Sequence, residues 1–314
     1  MSLAWVIGSG GLLGSSLCQH LRQLGTPLFE PKARLRWQDS VSLASQFTAL
    51  VEEFSVQVPV GGSWEIYWCA GVGTMHSTEE QLQPETEALV GLLHDLDRAI
   101  GLKSLHGTFC LASSAGAIYA ESDDKVITEA TETHPTTPYA RSKLRQELLV
   151  TEFASRAGGQ TTALLARLST IYGCGQARDK PQGLITHIAR QVARRGIVHV
   201  FVPLDTIRDY IFAEDAAARL VAGTRALIQG SGAVVRIVAS ERPATIAQIV
   251  SAFQRLSGRR PAIVTAASPR AAVYMRCVQF RSLLSWQGVA PPVPLPLGIA
   301  RVLAEERRRL YRGC

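Results

Sequence analysis

The 314-residue sequence has no apolar run long enough to cross a bilayer, so no membrane partner is expected. Its first residues, MSLAWVIGSG, enter a short strand at once, without a charged lead or an extended apolar stretch, so no secretory signal is expected either. Cysteine is scarce and scattered. Cys18, Cys69, Cys110, Cys174, Cys277 and Cys314 contain no C-x-x-C pair and no metal-ligand spacing, which argues against a disulfide scaffold or a metal centre. They read as reduced core thiols of a cytoplasmic protein. There is no internal repeat and no low-complexity segment. No zinc-finger, RNP or basic-zipper pattern points to nucleic acid. Acidic residues are the minority, 26 against 33 Lys and Arg, for a net charge of +7. That balance suits anionic small molecules. The basic run near the end, Arg307-Arg308-Arg309, reads as the solvated C-terminal end of a helix.

What is present is alternation. Strand-like segments at 3–7, 27–30, 34–37, 65–70, 107–113, 163–168, 198–202 and 234–239 are separated by helical stretches. These lie near 12–24, 41–54, 80–101, 138–157, 183–195, 213–228 and 244–257. Several strands are nearly continuous apolar runs, as expected where helices cover both faces of a sheet. The pattern predicts an α/β fold, a doubly wound parallel sheet of Rossmann type with a smaller C-terminal lobe. Residues 1–172 would form the dinucleotide-binding unit, completed by parts of 207–240, with 173–206 and 241–314 as the substrate lobe.

The first strand runs directly into WVIGSGGLLGSSL. Gly8 permits a tight turn, Gly11 lets a pyrophosphate approach a helix N-terminus, and Gly14 lets helix and strand pack closely. With Ser9, Gly10, Leu12 and Leu13 they form the expected cofactor loop. An acid at the end of the second strand would read ribose hydroxyls and mark NAD. Glu30 is available for that, but Lys32 and Arg34 sit at the tip, where a 2′-phosphate would be welcome. NADP is therefore favoured, with NAD as the alternative.

Two further segments carry chemistry. LASSAGAIYA (111–120) ends a strand on two hydroxyls, and PYARSKLRQ (138–146) carries Tyr139 and Lys143 one helical turn apart, on one face. A phenol is a poor base at neutral pH, and a neighbouring ammonium favours its ionised form. A hydrolase reading of the serine is excluded, because that fold needs a histidine late in the chain and the last one is His199.

Together, the glycine loop, Ser114, Tyr139 and Lys143 resemble the short-chain dehydrogenase/reductase superfamily. The closer likeness is to its extended, NAD(P)-dependent sugar-nucleotide epimerase/dehydratase-like branch. WCAG (68–71) sits where that family places a cofactor-lining fourth strand. RLSTIYGCGQ (167–176) is similar to R-x-x-N-x-Y-G-P-G, RDYIFAED (208–215) to R-D-x-I-x-V-x-D, and LSW (284–286) to the closing L-G-W. The resemblance implies Ser114, Tyr139 and Lys143 as the catalytic set. It adds Cys69, Ala70, Gly71, Ser113 and Leu168 to the cofactor contacts, with Tyr139 and Lys143 also touching the cofactor. Ser114, Thr170 and Arg208 become substrate contacts, the arginine facing a diphosphate. Thr170 replaces the family's asparagine, Cys174 its proline and Ala120 its glycine.

The neighbours of Ser114 then narrow the reaction. Members of the family that eliminate water carry an Asp-Glu pair beside the hydroxyl. Here Ala115-Gly116 can neither give nor take a proton, and no cysteine follows Ser114 for a double epimerisation. What remains is hydride transfer at one carbon of a nucleotide-linked sugar. Reduction of a 4-keto sugar nucleotide is the first reading and C4 epimerisation the alternative. A non-sugar ketone reductase and a non-catalytic redox-sensing or scaffold member are lesser ones. The family pairs the helices at 79–101 and 139–158 across a two-fold axis, which implies a homodimer.

Overall fold

A computed structural model describes residues 1–156, 159–176, 183–227, 232–258, 261–265 and 279–312. Cys277 and Cys314 lie outside the described residues. The first half of the chain runs β1 (Ser2–Ile7), α1 (Leu12–Gln23), β2 (Leu28–Phe29), α2 (Ser40–Gln57), β3 (Ser63–Trp68) and α3 (Glu79–Arg98). It continues with the short α4 (Ile100–Lys103), β4 (His106–Ser114), the single turn α5 (Ala115–Ile118), β5 (Val126–Ile127), α6 (Pro138–Arg156) and β6 (Thr161–Leu168). Capping residues fix several helix starts. The Asp39 side chain accepts from the Ser42 backbone N–H at 3.0 Å, and Thr78 and Gln81 form a reciprocal capping box at α3.

The second half supplies β7 (Thr170–Tyr172), α7 (Leu184–Arg194), β8 (Ile197–Val200), β9 (Ile207–Phe212), α8 (Ala213–Arg225) and β10 (Gly232–Val238). After these come β11 (Pro243–Thr245), α9 (Ile246–Ser257), β12 (Ala262–Thr265), β13 (Gln279–Phe280) and α10 (Leu295–Tyr311). Six strands form one parallel sheet in the order β10-β6-β4-β3-β1-β2. This is the doubly wound α/β sheet the alternation predicts. Along β1, Leu3, Trp5 and Ile7 enter one buried cluster with α2, α3 and α6, while Ala4 and Val6 enter another with α1 and α8. The period of two delivers apolar side chains to both helical layers, which is why these strands read as unbroken apolar runs. Trp5, Trp68, Phe47 and Phe54 are almost fully buried. Each contributes about 1.5–3 kcal/mol by leaving water.

A third apolar cluster lies around β7, β9 and the helices α7, α9 and α10, with Tyr172, Phe212 and Phe253 at its centre. The expected strand at 198–202 forms here, as β8, paired in parallel with β12 and separate from the large sheet. Among the described residues, no helix is long and apolar enough to cross a membrane.

One expected strand is absent. Residues 34–37 form a loop. The Arg36 backbone N–H donates to Gln46 Oε1 at 2.9 Å, and Gln46 Nε2 donates to the Arg34 carbonyl at 3.2 Å. A side chain from α2 thus satisfies backbone groups that a strand would have to pair with β2, whose own ladder is two residues long. Leu35 still packs on the first core, and Trp37 stands edge-on to Trp68 and Phe47. The apolar alternation of this segment is therefore real, but it reports packing without a ladder. The helix expected over 80–101 also stops at Arg98, and α4 follows as a separate turn.

Candidate active site

β1 ends at Ile7, and Gly8 turns the chain with φ +92°. A Cβ on Gly8 would stand 2.6 Å from the Ala70 nitrogen, and one on Gly14 would overlap the Gly8 carbonyl. Both positions require glycine, one for a close pass of β3's exit, the other to seat α1 against the loop. Gly11 is the N-cap of α1 and offers no side-chain cap, so the first-turn N–H groups lack a protein acceptor there, and no acid occupies that turn. A Cβ on Gly10 would meet nothing within 4 Å. Ser9 and Gly10 are exposed, Leu12 is half-buried and Leu13 packs into the core below. An uncapped helix N-terminus facing open space fits a pyrophosphate.

The β2 tip carries Lys32 and Arg34, both exposed. Glu30 is held by Arg22, with an N–O distance of 2.6 Å between two well-exposed side chains. The acid that would read ribose hydroxyls is thus already paired with a cation.

WCAG leaves the third strand of the chain rather than a fourth, because 34–37 forms none. The Cys69 backbone N–H donates to the Ile7 carbonyl at 2.8 Å, and burial pushes its thiol well above the ordinary cysteine range. Ala70 lies against the glycine loop, and Gly71 adopts φ +149°.

Ser114 and Leu168 pair across the ends of β4 and β6. With Thr170, Arg208, Ser169, Ala117, Met75 and Phe280 they line a cavity of about 160 Å³. Sequence reasoning did not find Met75 or Phe280, each of which reaches the site from a loop or strand without a motif. The Tyr139 phenol hydrogen-bonds Ser114, and the Lys143 ammonium stands 5.7 Å from the centroid of the Tyr139 ring. Ser114, Tyr139 and Lys143 are therefore brought together.

Ser113, expected among the cofactor contacts, turns its hydroxyl away from the cavity: it is buried and donates to Glu147 Oε1 at 2.6 Å. Glu147 in turn receives Arg167 at 2.7 and 3.0 Å, and Arg167 also donates to the Tyr119 hydroxyl. Consecutive strand residues face opposite ways, so only one of the two hydroxyls points into the cavity.

The electrostatics also differ from the sequence expectation. Burial pushes the Tyr139 phenol above its ordinary range; Lys143 and the Ser114 hydrogen bond oppose this, while Glu85 reinforces it. Glu85 had no place in the sequence reading. It forms a buried ion pair with Lys143 at 2.8 Å. Burial by itself would lower the lysine, but Glu85 and then Tyr139 hold it above its ordinary value. A signal for Glu85 does exist: it lies three residues after Leu82 and four before Leu89, on the buried face of α3.

Asp209, also on the cavity wall, is almost fully buried. It accepts from Ser169 at 2.6 Å, from the Ser240 N–H and hydroxyl at 2.8 Å, and from the Arg242 N–H at 3.1 Å. Asp209 thereby clamps β9, whose preceding residue, Arg208, reaches the cavity wall. Among the described residues, no group of His, Cys, Asp and Glu is arranged to hold a metal ion.

A glycine loop under a helix N-terminus, at the C-terminal edge of a parallel sheet, with a Ser-Tyr-Lys cluster beside it, defines a nicotinamide-dependent α/β enzyme of the extended short-chain dehydrogenase/reductase type. The chain belongs to the NAD-dependent epimerase/dehydratase family, which matches residues 4–232. A UDP-glucose 4-epimerase of Cyamopsis tetragonoloba is 26% identical over 164 residues, 47% of this chain and 46% of that protein, so the match spans about half the relative's length. The structure of MoeE5 in complex with UDP-glucose and NAD superposes with a TM-score of 0.81 at 21% identity, covering 99% of this chain and 100% of that one. A UDP-glucose 4-epimerase from Thermotoga maritima with UDP-glucose gives 0.78 at 19%, covering 99% and 100%. RMD from Pseudomonas aeruginosa complexed with NADPH gives 0.76 at 21%, covering 98% of each chain. Identities this low carry the fold alone.

Proposed function

We propose that this enzyme reduces the 4-keto group of a nucleotide-linked sugar, with Tyr139 as proton donor and NADPH as the favoured reductant. The observation that carries the reading is the setting of Tyr139: half-buried, beside the Ser114 hydroxyl and the Lys143 ammonium, with its phenol pushed above the ordinary range by desolvation. A ketone reduction needs a proton donor at the carbonyl oxygen, and a neutral phenol is one.

The reduced nicotinamide, when bound, supplies the hydride to the carbonyl carbon. Tyr139 gives its phenolic proton to the carbonyl oxygen as the alkoxide forms and regains a proton from solvent. Ser114 fixes that oxygen by a hydrogen bond, and Lys143 steadies the phenolate that appears. The N-terminus of α1 binds the pyrophosphate. Lys32 and Arg34 take the 2′-phosphate, an assignment supported by the pairing of Glu30 with Arg22. Leu168 and Ala70 give the nicotinamide an apolar wall. Arg208 and Thr170 contact the substrate, Arg208 through its diphosphate, within a lobe built from 173–206 and 241–314. Ala115 and Gly116 beside Ser114 supply no acid or base for water elimination.

C4 epimerisation is the second reading, supported by the likeness to UDP-glucose 4-epimerases. Incubating the protein with a panel of nucleotide sugars and their 4-keto forms, with NADPH or NADH, and following absorbance at the nicotinamide band separates the two. Stoichiometric cofactor oxidation is expected. Interconversion of sugars by protein that purifies with tightly held NAD, without net oxidation, establishes the epimerase instead.

The assembly we propose is a homodimer through α3 and α6, where Val90 and Leu148 remain exposed after the leucine stripe of α3 is spent on the chain's own core. Light scattering at micromolar concentration is expected to give twice the 34.0 kDa chain mass. A single-chain mass refutes it.

A further inference from the structure

A buried ammonium needs acceptors for its donors, and lysine carries three. Lys143 donates to Glu85 Oε1 at 2.8 Å and to Gln146 Oε1 at 3.0 Å. Gln146, fully buried one turn along α6, donates back to Glu85 at 3.2 Å. The third N–H of the ammonium has no acceptor among the described residues, and it is available to a ribose hydroxyl. On its other side, the Glu85 carboxylate occupies the space that a side chain on Gly71 would need. A Cβ there would stand 2.7 Å from both oxygens. A carboxylate of α3 is thus fixed between the loop after β3 and the catalytic helix.

Packing alone does not call for a charge at this position. Its neighbours on the buried face of α3 are Leu82, Thr86 and Leu89, and an apolar or amide side chain would fill the same volume. A buried ion pair is a poor device for stability. Its geometry instead serves the site: Glu85 holds the ammonium beside the Tyr139 ring while offsetting the charge that would otherwise draw the proton from the phenol.

We propose that Glu85 is a positioning residue of the hydride-transfer site, which fixes the Lys143 ammonium beside the Tyr139 ring and offsets its charge there. The inference rests on the ketone-reduction reading, in which Tyr139 enters as an acid. The groups facing Tyr139 are Lys143 from its own helix, Glu85 from α3 and the Ser114 hydroxyl from β4, while Cys69 faces Lys143 from the end of β3. Gly73 lies against the tyrosine ring and adds no charge.

The test reads the phenol directly. Ionisation of Tyr139 is followed in cofactor-free protein by ultraviolet difference titration, subtracting the corresponding Y139F protein, for wild type, E85Q and E85D. An ammonium without its counter-charge acts at full strength, so E85Q is expected to titrate lower by about one pH unit or more. E85D, which keeps the charge but withdraws it by one methylene, is expected to fall between the two. The alkaline limb of the reduction rate should move with the titration. A phenol midpoint unchanged in folded E85Q overturns the proposal; should E85Q not fold, an unchanged midpoint in E85D does so. The titration needs neither substrate nor cofactor. Failure of the ketone-reduction reading would therefore show separately, as no turnover across the substrate panel with the E85Q shift intact.

Discussion

Ser113 and Ser114 are adjacent on one strand and live in different chemistries. Ser113 faces a closed network in which Glu147, Arg167 and Tyr119 satisfy one another away from water. Ser114 faces the cavity, where its bond to Tyr139 is the beginning of a site rather than the end of a network. The same contrast holds for the two buried ion pairs of α6. Glu147–Arg167 joins α6 to β6, whereas Glu85–Lys143 joins it to α3 beside the proposed site. One pair braces the helix and the other tunes it, though both are equally short and equally buried.

The comparison is broken most sharply by Tyr139→Phe, which should lower kcat by about 10²–10⁴-fold with an unchanged Tm. Steady-state rates and a thermal melt check it, and retention of more than about a tenth of the activity refutes the donor role. Arg167→Leu should do the reverse. Leaving Glu147 buried without its partner is expected to cost about 3–5 kcal/mol of stability, read by urea denaturation. The serines themselves give the next contrast. Ser113→Ala should cost about 1–3 kcal/mol in the same denaturation experiment without changing kinetic constants. Ser114→Ala should lower kcat without moving the urea midpoint. Smallest is the paired Lys32→Ala and Arg34→Ala change at the β2 tip. Two exposed charges of this kind support about a tenfold loss of NADPH affinity, measured by titration calorimetry, with NADH affinity retained. Equal affinities of the wild-type protein for both cofactors would remove the basis for that assignment.

Much of this was readable from residues alone, for physical reasons. The glycine loop is legible because Gly8 and Gly14 each answer a local steric demand, and the sheet because strands buried on two faces leave continuous apolar runs. Tyr139 and Lys143 were legible because helical spacing puts them on one face. The segment 34–37 misled because Leu35 and Trp37 alternate as strand residues do, while the backbone of Arg34 and Arg36 between them is satisfied by the side chain of Gln46, twelve and ten residues on. The motif names both serines alike, and only the pleat sends their hydroxyls to opposite sides. Glu85 went unread for a different cause: its place in the leucine stripe marks it as buried, but its partner lies 58 residues downstream, and what the carboxylate pairs with follows only from the facing helix.

The missing strand has a consequence for how the molecule behaves in company. It leaves β2 as the outer strand of the large sheet, and an outer strand is a template onto which another chain can add. Here the template is two residues long, flanked by Pro27 and Pro31, and followed by Lys32, Arg34 and Arg36, all exposed. Short length, proline and like charge are the means by which natural sheets refuse a neighbour. The cations proposed to greet a phosphate thus also act as gatekeepers against self-association. A variant stripped of them to change cofactor preference should be watched for aggregation on standing.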